Sequence, residues 1–189
     1  MQVNKFLPLK VIHLLCMLAA VVLCLRSLSE ISADTTIFSD TGLRALTYVA
    51  EIIAMLTGIM YVLFNYTKAA AIYYKTFMAI QVVVQAIVGY RQAVGTASPV
   101  EAIFTIIPFI ALVVLAVGKD LGKVATYIIA GILLICRVTV LVLAAVAIGT
   151  DPGRDFAVIS FAVSDIVLAI TTGFMVTGKY FDKAARGTN

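Results

Sequence analysis

The sequence predicts an all-α integral membrane protein: a six-transmembrane-helix bundle forming one domain over residues 1–189, with both termini cytoplasmic. Three observations carry that prediction. Hydrophobic residues make up 62% of the chain and charged residues only 13%, against roughly a quarter charged in a soluble domain. The apolar residues fall into six runs, at about 6–25, 43–64, 69–90, 99–117, 124–148 and 156–178, each close to the ~20 residues a helix needs to cross a bilayer. The runs lack the alternation of apolar and polar residues that marks barrel strands.

The first run carries Lys10 and His13 near its start. Lys5, Lys10 and Val11–Leu25 also have the basic and apolar regions of a signal peptide, with Ser27 and Ser29 as small residues at a cleavage position. Five further spans follow, and the reading adopted is an uncleaved first span. A polar stretch from Arg26 to Gly42 separates it from the second. Only Asn65-Tyr66-Thr67-Lys68 joins the second and third spans, so those helices are antiparallel neighbours.

Ser98-Pro99-Val100-Glu101 opens the fourth span with a capping serine, a proline at the first helical position and a glutamate where a capping box places it. Pro108 lies mid-span and frees the carbonyl of Phe104, which predicts a kink. The fifth span is the longest. Gly149-Thr150-Asp151-Pro152-Gly153 then reads as a turn, and a short basic tail follows the sixth.

Orientation comes from the basic residues. Of the fourteen in the chain, nine (Lys5, Lys10, Lys68, Lys75, Lys119, Lys123, Lys179, Lys183 and Arg186) fall on the side of the termini. Four (Arg26, Arg44, Arg91 and Arg154) fall on the other, and Arg137 lies within a span. The positive-inside rule places the richer side, and both termini, in the cytoplasm. An even number of spans requires the same. With no tryptophan in the chain, tyrosines near span ends, Tyr48, Tyr66, Tyr73, Tyr74, Tyr90, Tyr127 and Tyr180, are expected to form the interfacial belt. Lys75, beside Tyr73 and Tyr74, is expected to snorkel.

Several function classes find no support. The basic residues form no patch that tracks phosphates, so nucleic acid is not an expected partner. There is no HExxH, GxSxG or P-loop and no metal-ligand cluster, and no enzyme is indicated. Cys16, Cys24 and Cys136 lie inside apolar runs without a CxxC, and read as buried thiols. His13 is the one histidine; it reads as a packed or interfacial residue, and no haem or other cofactor is expected. No internal repeat suggests an inverted-repeat transporter.

What stands out is a set of polar residues inside the apolar runs: Glu51, Gln81, Gln85, Arg137 and Asp165. At a rise of about 1.5 Å per residue, Asp165 lies roughly 13 Å and Arg137 roughly 16 Å below the outer ends of the last two spans. They are at matching depth on one antiparallel hairpin, so a salt bridge is expected. Glu51 lies roughly 9–12 Å deep, and Gln81 and Gln85 share one helix face at i and i+4. Ser160, Ser164 and Thr139 add hydroxyls near that depth. Two acids against one arginine leave one acid protonated or in contact with water.

Ala50, Ala54 and Gly58 place a small residue at every fourth position of the second span, a seam for close packing inside the bundle or against a partner. The overall plan, six helices of this total length with both ends cytoplasmic, resembles that of the substrate-binding subunits of energy-coupling-factor vitamin transporters. Those subunits carry an AxxxA seam on their first helix. Here the first span has only the adjacent Ala19 and Ala20, and the small-residue seam is on the second.

Two readings follow. In one, the chain is a small solute-binding or transport unit, with Glu51, Gln81, Gln85, Arg137 and Asp165 around an outward-facing polar site. In the other, it is an accessory or scaffold membrane subunit whose polar groups fasten helices, each contributing about 1 kcal/mol. The expected partners are the lipid bilayer, a small polar solute and a partner membrane subunit.

Overall fold

The computed structural model describes residues 7–31, 36–64, 69–94, 99–117, 123–150 and 156–177. These residues form six α-helices: α1 (Leu7–Ser29), α2 (Asp40–Leu63), α3 (Ala70–Val94), α4 (Pro99–Val117), α5 (Lys123–Thr150) and α6 (Phe156–Thr177). There is no strand among the described residues. Helices α1, α2 and α3 hold apolar stretches long enough to cross a membrane, Pro8–Ser29, Asp40–Leu63 and Ala70–Arg91. Shorter apolar stretches run through α4, α5 and α6.

The helices extend past the apolar runs where polar residues still suit a helix. Helix α1 continues to Ser29, whose hydroxyl bonds the Arg26 carbonyl at 2.7 Å. Helix α2 begins at Asp40 because Ser39 caps it, accepting the Gly42 N–H at 3.0 Å. Gly42 is forced by close approach: a Cβ there would lie 2.1 Å from the Thr36 carbonyl oxygen. Helix α5 runs through Gly149 and Thr150, the first two residues of the expected turn. The rest of that turn and the expected cap Ser98 lie outside the described residues.

Each helix packs on the next in sequence, α6 returns to pack on α1, and α2 touches α6 directly. Helix α1 therefore lies in the groove between α2 and α6, while α2 through α6 form a ring of five. Helices adjacent in sequence run antiparallel, as α1 and α6 do, whereas α2 and α6 run parallel. Between α2 and α3, Asp40 pairs with Arg91 at one end, and the Phe64 and Tyr73 rings lie 6.2 Å apart at the other. The core gathers Met17, Ala20, Ala54, Met55, Phe77, Met78, Leu112 and Leu168.

The outer surface is apolar. On α1 it presents Val11, Ile12, Leu15, Leu18, Val22 and Leu25, and on α5 Ile128, Ile132, Ile135, Val142 and Val146. Apolar faces of this extent belong in contact with lipid or protein rather than water. Lys75, Tyr90 and Tyr127 are exposed. Tyr48 departs from the expected belt: it is 4% exposed and belongs to the core. It stands three residues before Glu51, on the inward face of α2. Tyr66 and Tyr180 lie outside the described residues.

The small-residue seam of α2 faces inward. Gly58 is its tightest point: a Cβ there would meet Met17 Sδ, Phe77 Cε2 and Thr171 Cγ2, each at 3.3 Å. Three helices, α1, α3 and α6, thus converge on one glycine, and Ala54 one turn away is fully buried. Ala50 is only half-buried.

Candidate functional site

Seven residues make two helical turns, a rise of about 10 Å. Helices α1 and α3 run against α2 and α6, so the junction at Gly58 repeats two turns away with the helices sampled in opposite directions. Met17 gives way to Cys24, Gly58 to Glu51, Thr171 to Ser164 and Phe77 to Val84. The side chains agree with that register. Ser164 donates a hydrogen bond to Glu51 Oε2, and the Cys24 thiol donates to the same oxygen at 3.4 Å. Val84 is fully buried. Gln81 and Gln85 flank it on α3, so the two amides stand at the level of Glu51.

The same level contains the ion pair expected from the sequence. Arg137 Nη1 on α5 donates to Asp165 Oδ2 on α6. Asp165 follows Ser164 directly, and Glu51 lies within electrostatic range of both Asp165 and Arg137. Glu51, Gln81, Gln85, Arg137 and Asp165 are each no more than 5% exposed. They form a polar layer across the bundle, supplied by α2, α3, α5 and α6 and closed to solvent in this conformation.

Helix α4 meets the layer at its proline. A Cβ on Gly89 would lie 3.6 Å from Thr105 Cγ2, and the antiparallel register then places Pro108 level with Gln85. Pro108 is buried. It has no N–H to return to the Phe104 carbonyl, so α4 carries a backbone acceptor without its helical partner close to the layer.

The hydrogen bonding of the layer is incomplete. Among the described residues, Glu51 Oε1, Asp165 Oδ1, Gln81 Nε2 and both Gln85 amide atoms are buried without a hydrogen-bond partner. A buried polar group left in that state costs about 1–3 kcal/mol.

Away from the layer most polar contacts close on themselves, although among the described residues His13 Nδ1 is also buried without a hydrogen-bond partner. Between α1 and α6, the Ser27 and Ser160 hydroxyls are 2.6 Å apart. Ser160 also lies 3.4 Å from the Leu23 carbonyl. Toward the other end, Thr171 donates to the Val167 carbonyl at 2.7 Å and thus accepts from His13 Nε2, also at 2.7 Å. The His13 ring packs against Phe174, with centroids 5.1 Å apart. His13 is a packed histidine. Thr139 is not part of the layer: its hydroxyl bonds the Ile135 carbonyl of its own helix at 2.9 Å.

Three buried residues on the inward faces of α1 and α2 have roles that the sequence alone does not give. Cys24 read as an inert thiol, yet it helps hold Glu51. Ser27 reads from the sequence as a cleavage-position residue and Tyr48 as part of the interfacial belt, yet both are buried. Their signal was weak but present, since Cys24 and Ser27 share one face of α1 at i and i+3, as Tyr48 and Glu51 do on α2. No group of three or more potential metal-ligating residues occurs among the described residues. No family model matches the chain, and no curated protein or solved structure shows significant similarity to it.

Proposed function

We propose that the chain is a small solute-binding or transport unit of a membrane, its six helices crossing the bilayer with both termini cytoplasmic and its polar layer forming the solute site. The unpartnered amide of Gln85 carries this reading. A fastening residue is buried because its bonds are made within the protein. Gln85 is 1% exposed with neither amide atom bonded, which suits a residue whose partner arrives from outside. Intramembrane ionisable groups at the same level strengthen the case, because polar side chains at that depth are expensive unless they serve a pathway or a site.

In the orientation given by the basic residues, the layer lies in the outer half of the membrane. The site then opens outward by a parting of helix ends. Asp40 stands on that route, bonded to Arg91 of α3 at 3.0 Å and to Arg44 of its own helix at 2.9 Å. This cluster ties α2 to α3 beyond Glu51 and Gln85, in the place an outer gate would occupy.

Mass spectrometry of the gently solubilised protein tests the proposal. A retained small-molecule adduct is expected. A second reading, an accessory subunit with purely structural polar groups, is favoured by one observation: Arg137 and Asp165 satisfy each other within a single hairpin. That reading predicts a co-purifying membrane protein and no adduct.

A further inference from the structure

We infer that the solute is a small organic monocation, an ammonium that also carries a hydrogen-bond acceptor, held between Glu51 and the Gln81–Gln85 pair. The inference rests on the reading of the polar layer as a solute site and deepens it to a chemical class.

Charge comes first. Arg137 is the one guanidinium of the layer, and Asp165 engages it, so an anionic solute finds its natural partner already taken. Glu51 is the acid left over. Among the described residues it has no ion-pair partner, only the hydroxyl of Ser164 and the thiol of Cys24, both on Oε2. Those two donors fix the carboxyl group and leave Oε1 open. Buried charges are stable only when paired, so Glu51 is a neutral acid in the closed bundle, and an arriving cation supplies the counter-charge with which it gives up its proton.

Hydrogen bonding then narrows the cation. The open atoms include acceptors on Glu51, Asp165 and Gln85 and amide donors on Gln81 and Gln85. A bare metal ion would satisfy the acceptors but leave N–H groups facing a positive charge. A neutral polyol would satisfy the hydrogen bonds but leave Glu51 a neutral acid, making no use of the charge it can carry. An ammonium with a hydroxyl or carbonyl meets both demands. Turning the Gln85 amide over changes nothing, because both of its atoms are open and a flip exchanges one donor for one acceptor. Gln81 and Gln85 stand one turn apart, a rise of about 6 Å, which suits a solute only a few atoms long.

Three two-carbon probes of matched size separate the classes: ethanolamine, ethylene glycol and glycolate, with sodium chloride as a fourth. Each is titrated against the full chain in detergent while thermal unfolding is followed. Ethanolamine is expected to raise the unfolding temperature in a saturable way and the other three to leave it unchanged. Glu51→Gln keeps an acceptor for Ser164 and removes the charge; it is expected to weaken ethanolamine binding at least about tenfold. Gln85→Met, which alters no charge, is expected to weaken it as well and serves if Glu51→Gln fails to fold.

Saturable stabilisation by glycolate, ethylene glycol or sodium overturns the assigned class and leaves the solute site standing. Unchanged ethanolamine binding in both variants overturns the placement at Glu51 and Gln85. If none of the four probes binds, the monocation proposal fails, and an adduct in the mass spectrum of the wild-type protein then decides separately whether the solute-site reading survives.

Discussion

Ser164 donates its hydroxyl to the Glu51 carboxyl group, and the next residue of α6 is Asp165, the partner of Arg137. One turn of α6 therefore joins the two acids of the polar layer: one side chain reaches α2 and the next reaches α5. The cross-contact of α2 with α6 fixes this arrangement, and the packing at Gly58, two turns away, fixes that contact in turn.

Breaking the Arg137–Asp165 pair on one side strands a buried charge. Arg137→Leu or Asp165→Leu alone is expected to destabilise the protein by about 3–5 kcal/mol. The double replacement is expected to lose less than either single change, because it removes both charges together. Unfolding of the three variants in detergent checks this; additive losses would show that the two residues do not act as a pair.

Gly58 and Gly131 are expected to respond in opposite ways. Gly58→Val forces side-chain atoms into Met17, Phe77 and Thr171, at a cost of about 1–3 kcal/mol. A Cβ at Gly131 meets nothing within 4 Å, so Gly131→Ala is expected to be neutral or to stabilise by about 0.5–1 kcal/mol through the helix preference of alanine. Thermal unfolding of both variants is the check, and equal losses would contradict the packing described for α2.

The closure of α6 onto α1 can be tested by cross-linking. In a background with Cys16, Cys24 and Cys136 replaced by alanine, Ser27→Cys with Ser160→Cys is expected to form a disulfide under mild oxidation, since the two hydroxyls are 2.6 Å apart. Ser29→Cys with Ser160→Cys is expected not to, because Ser29 is exposed on a different face of α1. Equal cross-linking of both pairs would argue against this helix register.

Much of this arrangement was legible in the sequence. The six apolar runs locate the six helices, because helix length and hydrocarbon thickness impose the same ~20-residue scale. The Arg137–Asp165 pair was legible because a short connection makes α5 and α6 antiparallel neighbours, and depth along a helix is simple arithmetic. The partners of Glu51 were not. Ser164 belongs to a helix remote in sequence, and nothing local says that α6 closes on α2; Cys24 is on the preceding helix, but the long polar connection from Arg26 to Gly42 hides the register of α1 against α2. Tyr48 was placed at the lipid interface because its position along the helix fits a belt, but depth alone does not say which face a residue occupies. The helix extensions at Ser29 and Asp40 were missed because apolar runs report the membrane-facing length and caps report the true end.

The orientation is open to direct measurement. In the same cysteine-free background, Asp151→Cys in intact cells is expected to react with a membrane-impermeant maleimide, and Lys119→Cys only after the cells are opened. The reverse pattern would invert the topology and put the polar layer in the cytoplasmic half.

The account turns on whether the open amide of Gln85 exists for a solute. The most direct measurement compares wild type and Gln85→Met for bound small molecule by mass spectrometry and for thermal stability. Methionine has a similar reach and no amide, so it relieves a buried, unsatisfied group costing about 1–3 kcal/mol. The expected result is an unfolding temperature equal to or above that of ligand-free wild type, together with loss of the adduct. A variant that unfolds earlier while retaining the adduct would make Gln85 a structural fastener and contradict the solute site.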